Sequence, residues 1–202
     1  MTRAMNTAKQ ESDFLECIDS LVQLLKFDDY TYMHSLNVAN YAVDFARCLN
    51  RNMDESMFYY GGLLHDIGKI KINLDLLYKN EKLTEEEFDI IQEHSELGYK
   101  ILCEYNMPDD ILFAARLHHE RIDGTGYPQK LAGHEIPFVT KVISICDVFD
   151  ALISDRPYRK GYTLKQVIHI MSHSVGQFDQ ELLNIFIHKV IRDKFSLWNI
   201  AD

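Results

Sequence analysis

His34, the adjacent pair His65 and Asp66, His94, the adjacent pair His118 and His119, and Asp147 are spread over more than half of a 202-residue chain. Imidazole nitrogens and carboxylate oxygens are the donors that borderline divalent metals take. Five of the first and two of the second suffice for two ions, with positions left for water and a substrate oxygen. Such a set would serve metal-assisted hydrolysis, provided that the seven converge. His65 and Asp66 are consecutive, so on a helix their directions differ by roughly 100°. Both reach one centre only at a helix end, and Gly68 predicts that the helix stops there. Asp66, with two oxygens, could bridge two ions. Lys69 lies four residues after His65 and returns to its face, where a fixed positive charge suits a phosphoryl oxygen.

Position relative to the apolar stripe separates a ligand from a surface histidine. His94 is in line with Ile90, Ile91, Leu97 and Ile101, and His34 shares a face with Val38 and Tyr41. Asp147 follows the run Val142 to Cys146 and precedes Val148 and Phe149, with Ile143 and Ala151 on its own face. A carboxylate buried there costs several kcal/mol unless it is paired, neutralised or metal-bound. One buried histidine is ordinarily a core side chain bonded to a carbonyl; seven inward-facing residues on separate helices argue for a site. His169 and His173 are spaced i,i+4 but have no carboxylate nearby, so they are expected at the solvent edge. His134, in a loop, and His188, on the last helix, have no chemical setting.

The elements that must position these residues are helical. Four prolines and nine glycines punctuate the chain, and the stretches between them carry helical spacing. Helices are predicted from about Glu11 to Lys26, from near Tyr30, from an Asp54 cap to the His65–Gly68 segment, and from a Thr84–Glu87 capping box to about Tyr105. Others follow from Asp109 to the histidine pair, from Val139 to Ile153, from Leu164 to about Val175, and after an Asp179 cap. No strand alternation or repeat occurs, which makes the chain all-α. Residues 1–27 are expected to form a polar segment and helix packed on a domain spanning 28–202. The four cysteines lack CxxC spacing and read as small buried hydrophobes. A hydrophobic content of 47% with 26% charged residues is that of a globular protein, and no apolar run reaches membrane-spanning length. With no signal-like N-terminus, the expected location is cytoplasmic. A formal net charge of −10 argues against nucleic-acid polymers and anionic membranes as partners.

The ordered series His65-Asp66-Ile67-Gly68-Lys69, His118-His119-Glu120 with Asp123-Gly124-Thr125-Gly126-Tyr127-Pro128, and Asp147-Val148-Phe149-Asp150-Ala151-Leu152 closely resembles the HD-GYP family, a branch of the HD phosphohydrolases. The likeness runs from about Tyr30 to Asp179 and includes Ser154-Asp155-Arg156-Pro157-Tyr158-Arg159. It implies a helical bundle around a di-iron or di-manganese centre, with zinc a poorer fit. It also implies hydrolysis of cyclic di-GMP to 5′-pGpG and, on further cleavage, GMP. Carried over by motif, His34, His65, Asp66 and Asp147 would hold one metal, and Asp66, His94, His118 and His119 the second. Lys69 would contact the scissile phosphate, and Arg156 and Arg159 would bind the nucleotide, a task suited to their planar forks. The loop from Asp123 to Pro128 reads as structural, and the resemblance adds diguanylate cyclase domains as partners. Some family members carry, four residues before the first histidine, a glutamate that helps hold a third metal. Tyr30 stands there, which implies two metals. The usual proline after HDIGK is absent, Asn37 and Lys141 stand where the family often has arginine, and no sensory domain is expected. Alternatives of substrate and class are cyclic GMP-AMP, another nucleotide, or a weakly catalytic cyclic-dinucleotide receptor.

Overall fold

A computed structural model describes residues 2–49, 53–156 and 159–195, with side chains from residue 12 onward. It is all-α: α1 (Thr2–Leu25), α2 (Asp29–Cys48), α3 (Glu55–Leu64), α4 (Leu74–Leu77), α5 (Glu85–Glu104), α6 (Asp109–Leu117), α7 (Phe138–Ile153), α8 (Leu164–His173) and α9 (Gln180–Ile185). Among the described residues the extended pairings are two isolated bridges, Asp123 with Ala132 and Arg156 with Arg159. No described helix is long and apolar enough to cross a membrane.

The helix starts follow from side chains that satisfy first-turn N–H groups. Asp28 accepts from Thr31 N at 2.8 Å, Asp54 from Ser56 N at 2.9 Å, and Asp179 from Leu182 N at 3.3 Å. Thr84 and Glu87 form the expected reciprocal box, and Thr163 and Gln166 form another.

Four expectations need correction. Helix α1 begins at Thr2 rather than Glu11, because a polar first half leaves no apolar stripe to mark it. Helix α3 ends at Leu64, and the segment after the histidine–aspartate pair is a 3₁₀ turn, Ile67–Lys71. Gly68 sits inside that turn and does not stop a helix. A Cβ there would lie 1.9 Å from His94 O and 2.5 Å from Gly98 N, so Gly68 allows the turn to press on the α5 backbone. Of the cysteines only Cys146 is buried; Cys17 and Cys48 are half-buried and Cys103 is exposed. Pro157 and Tyr158 lie outside the described residues.

Two apolar clusters hold the bundle. One gathers Val38, Phe45 and Phe58 with Ile143, Cys146, Phe149 and Phe186. The other gathers Ile18, Leu21 and Leu25 of α1 with Ala39, Leu64, Ile67, Leu102 and Ile111. Helix α2 faces both, through Val38 and Ala39. Cys146 beside Asp147 belongs to the first cluster and Ile67 beside Asp66 to the second, so the two carboxylates are anchored in different clusters.

Candidate metal centre

The five segments converge. Helix α2 brings His34, the α3 exit brings His65 and Asp66, α5 brings His94, the α6 exit brings His118 and His119, and α7 brings Asp147. Ligand atoms of His34, His65 and Asp147 lie within 4.8 Å of one another, as do those of His94, His118 and His119, and those of His65, Asp66 and His118. Asp66 stands between the sets. Its Oδ2 is 3.3 Å from His65 Nε2 and 3.7 Å from His34 Nε2. Its Oδ1 is 3.4 Å from His94 Nε2 and 3.8 Å from His118 Nε2. Asp147 Oδ1 lies 3.1 Å from His34 Nε2 and 3.8 Å from His65 Nε2.

Local helix geometry aims the rings. His65 Nδ1–H donates to Gly62 O at 2.7 Å, His94 Nδ1–H to Ile91 O at 2.6 Å, and His118 Nδ1–H to Ala114 O at 3.0 Å. Each bond fixes the proton on Nδ1 and leaves an Nε2 lone pair pointing at the centre. The Nε2 atoms of His94 and His118 consequently face each other at 3.4 Å. His65 Nε2 and Asp66 Oδ1 are buried without a hydrogen-bond partner. Converging buried acceptors with no proton between them are costly, and a cation is what satisfies them. The residues present therefore fit divalent metal. His34 is held from behind by a carboxylate instead: its Nδ1 is 2.7 Å from Asp150 Oδ2.

The electrostatics agree with ligation. Burial would raise the Asp66 pKa, but the Lys69 ammonium at 2.5 Å and the neighbouring His65 hold it well below the usual carboxylate range. Burial opposes ionisation of Asp147 too, but the His34 hydrogen bond together with the charges of His65, His34 and His119 holds it well below the usual carboxylate range. Burial presses His94 down to about 4, against the pull of Asp66, and with His65 beside it takes His118 down to about 3. Burial and His118 depress His119 as well. Anionic carboxylates beside unprotonated imidazoles are the state that binds metal. For His34, burial is overcome by its bonds to Asp147 and Asp150, which push it up to about 9. A metal drawn to Asp147 would compete with the proton on that ring.

The HD domain family profile matches residues 9–182. The chain belongs to the HD domain family. The HD-GYP branch read from its motifs agrees with its relatives. Cyclic di-GMP phosphodiesterase PA4108 of Pseudomonas aeruginosa is 40% identical over 174 residues, covering 85% of this chain and 42% of that protein. The 3′3′-cGAMP-specific phosphodiesterase 1 of Vibrio cholerae is 36% identical over 170 residues, covering 78% of this chain and 37% of that one. The chain thus spans less than half the length of these curated relatives. Among solved structures, the Listeria monocytogenes PgpH HD domain in complex with cyclic-di-AMP aligns with a TM-score of 0.67 at 20% identity, over 91% of this chain and 99% of that one. At that identity the likeness shows the HD fold alone.

In this HD domain His34, Asp66, His94, His119 and Asp147 line an open cleft of about 400 Å³, with Lys69, Tyr127, Arg156 and Arg159 among its other walls, while His65 and His118 are fully buried behind it. Lys69 reaches the site differently from the sequence expectation. In the 3₁₀ turn it points to Asp66, its Nζ on Oδ2, rather than returning to the His65 face. Arg159 lines the cleft, yet its guanidinium donates to the carbonyls of Ala151 at 2.7 Å and Lys160 at 2.9 Å and lies over Tyr162. It therefore also braces the α7 C-terminus. Arg156 shares a two-way backbone pairing with it.

The Asp123–Pro128 loop works through His119. Tyr127, followed by a cis peptide to Pro128, stacks on the His119 ring at 4.6 Å and 27°. Gly126 makes this possible, because a Cβ there would come within 2.4 Å of His119 O. Gly124 takes a positive φ of 76°, and Asp123 accepts from Thr125 N at 3.0 Å to close the turn. Two supporting carboxylates were missed by sequence reasoning. Asp150 backs His34, and Glu120, 2% exposed, accepts from Gln129 N and Leu131 N to anchor the loop exit. Asp150 had a signal, lying one helical turn after Asp147; Glu120 had none. His169 and His173 are exposed, with no carboxylate among their hydrogen-bond or ring partners.

Proposed function

We propose that this HD domain is a two-metal phosphodiesterase that opens cyclic di-GMP to 5′-pGpG, with GMP as a further product. The observation that carries the reading is Asp66, whose two oxygens address two different imidazole groups. His34, His65 and Asp147 with Asp66 would hold one divalent ion, and His94, His118 and His119 with Asp66 the other. Mixed imidazole and carboxylate donors suit iron first and manganese next. When bound, the metals supply a water of lowered pKa and Lewis acidity toward phosphoryl oxygens. The chain's own groups do the positioning. Lys69, 23% exposed at the side chain, sits where a nonbridging oxygen can take over its ammonium from Asp66. Arg156 and Arg159, which line the same cleft, would grip the second phosphate or a base. Tyr127 holds the His119 ring against rotation.

The relatives support the substrate class: one is named for cyclic di-GMP and another for 3′3′-cGAMP. The second name favours cyclic GMP-AMP as the alternative substrate of the same site. Asp123 and Thr125, exposed on the loop, form the face on which a diguanylate cyclase domain would dock. The test is anaerobic purification, metal analysis and chromatography of cyclic di-GMP and cyclic GMP-AMP digests, beside Asp66→Ala. About two metals per chain and pGpG formation only by the wild type are expected. A metal-free wild type, or equal turnover by the variant, would overturn the proposal.

A further inference from the structure

A second pocket of about 230 Å³ opens beside the metal cleft and shares Tyr30, Lys69, Phe88, Ile91 and Arg156 with it. A ligand whose phosphate rests at Lys69 therefore has a half-open pocket next to it. The rings of Tyr30 and Phe88, with aliphatic Ile91 and Leu83, suit the flat face of a base. Besides the residues shared with the cleft, the polar groups of this pocket are Asp28, Thr31, Tyr78 and Lys79. Tyr78 closes the short helix α4 as its C-cap, and its hydroxyl donates to Asp28 Oδ1, fifty positions away. Asp28 Oδ2 is held by Thr31 N at 2.8 Å. The only hydroxyl proton of Tyr78 is thereby committed, so the pair offers lone pairs and no donor. Lys79 supplies the opposite character, its ammonium steadied by both oxygens of Glu87 at 2.6 and 2.7 Å.

We infer that this pocket is a base-reading subsite that selects guanine over adenine, with the Asp28–Tyr78 pair accepting from the base and Lys79 facing its carbonyl. This rests on the phosphodiesterase reading above and deepens it to the base. Guanine presents N1–H and N2–H₂ donors beside the O6 acceptor, which complements acceptors beside a cation. Adenine presents a bare N1 to the acceptors and an N6 amine to the ammonium, a mismatch at both positions. The shared residues Lys69 and Arg156 connect the subsite to the phosphate position.

The test is calorimetric titration of the full chain with linear pGpG and pApA, for wild type, Asp28→Asn and Tyr78→Phe. Asparagine keeps a capping oxygen for Thr31 N while placing an amide donor in the pocket, and phenylalanine keeps the ring. Wild type is expected to bind pGpG at least tenfold tighter than pApA. Each variant is expected to lose at least tenfold for pGpG with little change for pApA, at wild-type metal content and melting temperature. Equal wild-type affinity for the two dinucleotides, or undiminished pGpG binding by both variants, overturns the subsite. So does a loss for both ligands accompanied by lost metal, which would mark a purely structural pair. Wild type that discriminates through Asp28 yet never cleaves cyclic di-GMP would overturn the phosphodiesterase reading and leave the subsite standing.

Discussion

Asp150 shows how a side chain outside the donor set controls it. Its Oδ2 holds His34 Nδ1 at 2.7 Å while Oδ1 accepts from Ser154 Oγ at 3.0 Å, so both ends of a buried carboxylate are used to fix one ring. Carboxylates placed behind a metal-binding histidine typically account for about 10–100-fold in metal affinity. Asp150→Ala is accordingly expected to weaken metal binding by that factor in a chelator competition, with the far-ultraviolet circular dichroism unchanged. Wild-type affinity would mean that Asp147 alone aligns His34. The seven donors were legible in the sequence because each combines a metal-type side chain with an apolar stripe or a motif position. Asp150 was legible only as a carboxylate one turn after Asp147; its partner is 116 positions away, and only the packing of α2 against α7 brings them together. Glu120 was hidden for the same reason, its acceptor role depending on the path of a loop nine to eleven residues downstream.

Among elements, Thr84 and Gly68 separate two kinds of importance. Thr84 caps α5 at an exposed end through its bond from Glu87 N. Thr84→Ala is expected to lower stability by about 1 kcal/mol in urea titration and to leave metal content unchanged. Gly68→Ala would push a methyl group into the backbone of α5 at His94 and Gly98. Neither backbone can yield without moving Asp66 or His94, so this variant is expected to lose about 2 kcal/mol and bound metal together. A Gly68→Ala protein with full metal content would show that the contact is not what sets the Asp66–His94 spacing. The contrast also explains what the sequence could say about elements. Caps and 3.6-residue periodicity are local, so α5, α6 and α7 emerged within a residue or two of their bounds. The 3₁₀ turn and the four-residue α4 have too few residues to show a period, and the glycine that looked like a stop is a contact whose partner lies on another helix.

For the molecule as a whole, metal bound at this centre would be a cross-link between two cores. Ile67 ties the Asp66 segment to the cluster built on α1, α3 and α6, while Cys146 and Phe149 tie Asp147 to the cluster built on α2, α7 and the C-terminal helices. Burying two ionised carboxylates and several facing lone pairs stabilises nothing by itself; a cation bound by both sides converts that cost into adhesion. A ligand at 100 times its dissociation constant adds about 2.7 kcal/mol to folding stability. In a chain of this size each kcal/mol moves the melting temperature by about 2–4 °C. Adding manganese or, anaerobically, ferrous iron to chelator-treated protein is therefore expected to raise the melting temperature by about 5–10 °C in differential scanning fluorimetry. Asp66→Ala should lose most of that rise, because the carboxylate whose two oxygens face both ligand sets is gone. Removing the exposed pair with His169→Ala and His173→Ala should preserve it, as that pair lies apart on α8 with no carboxylate partner. A metal-induced shift that survives Asp66→Ala but disappears with the α8 histidines would place the stabilising ion on the surface and remove the cross-link from the account of this fold.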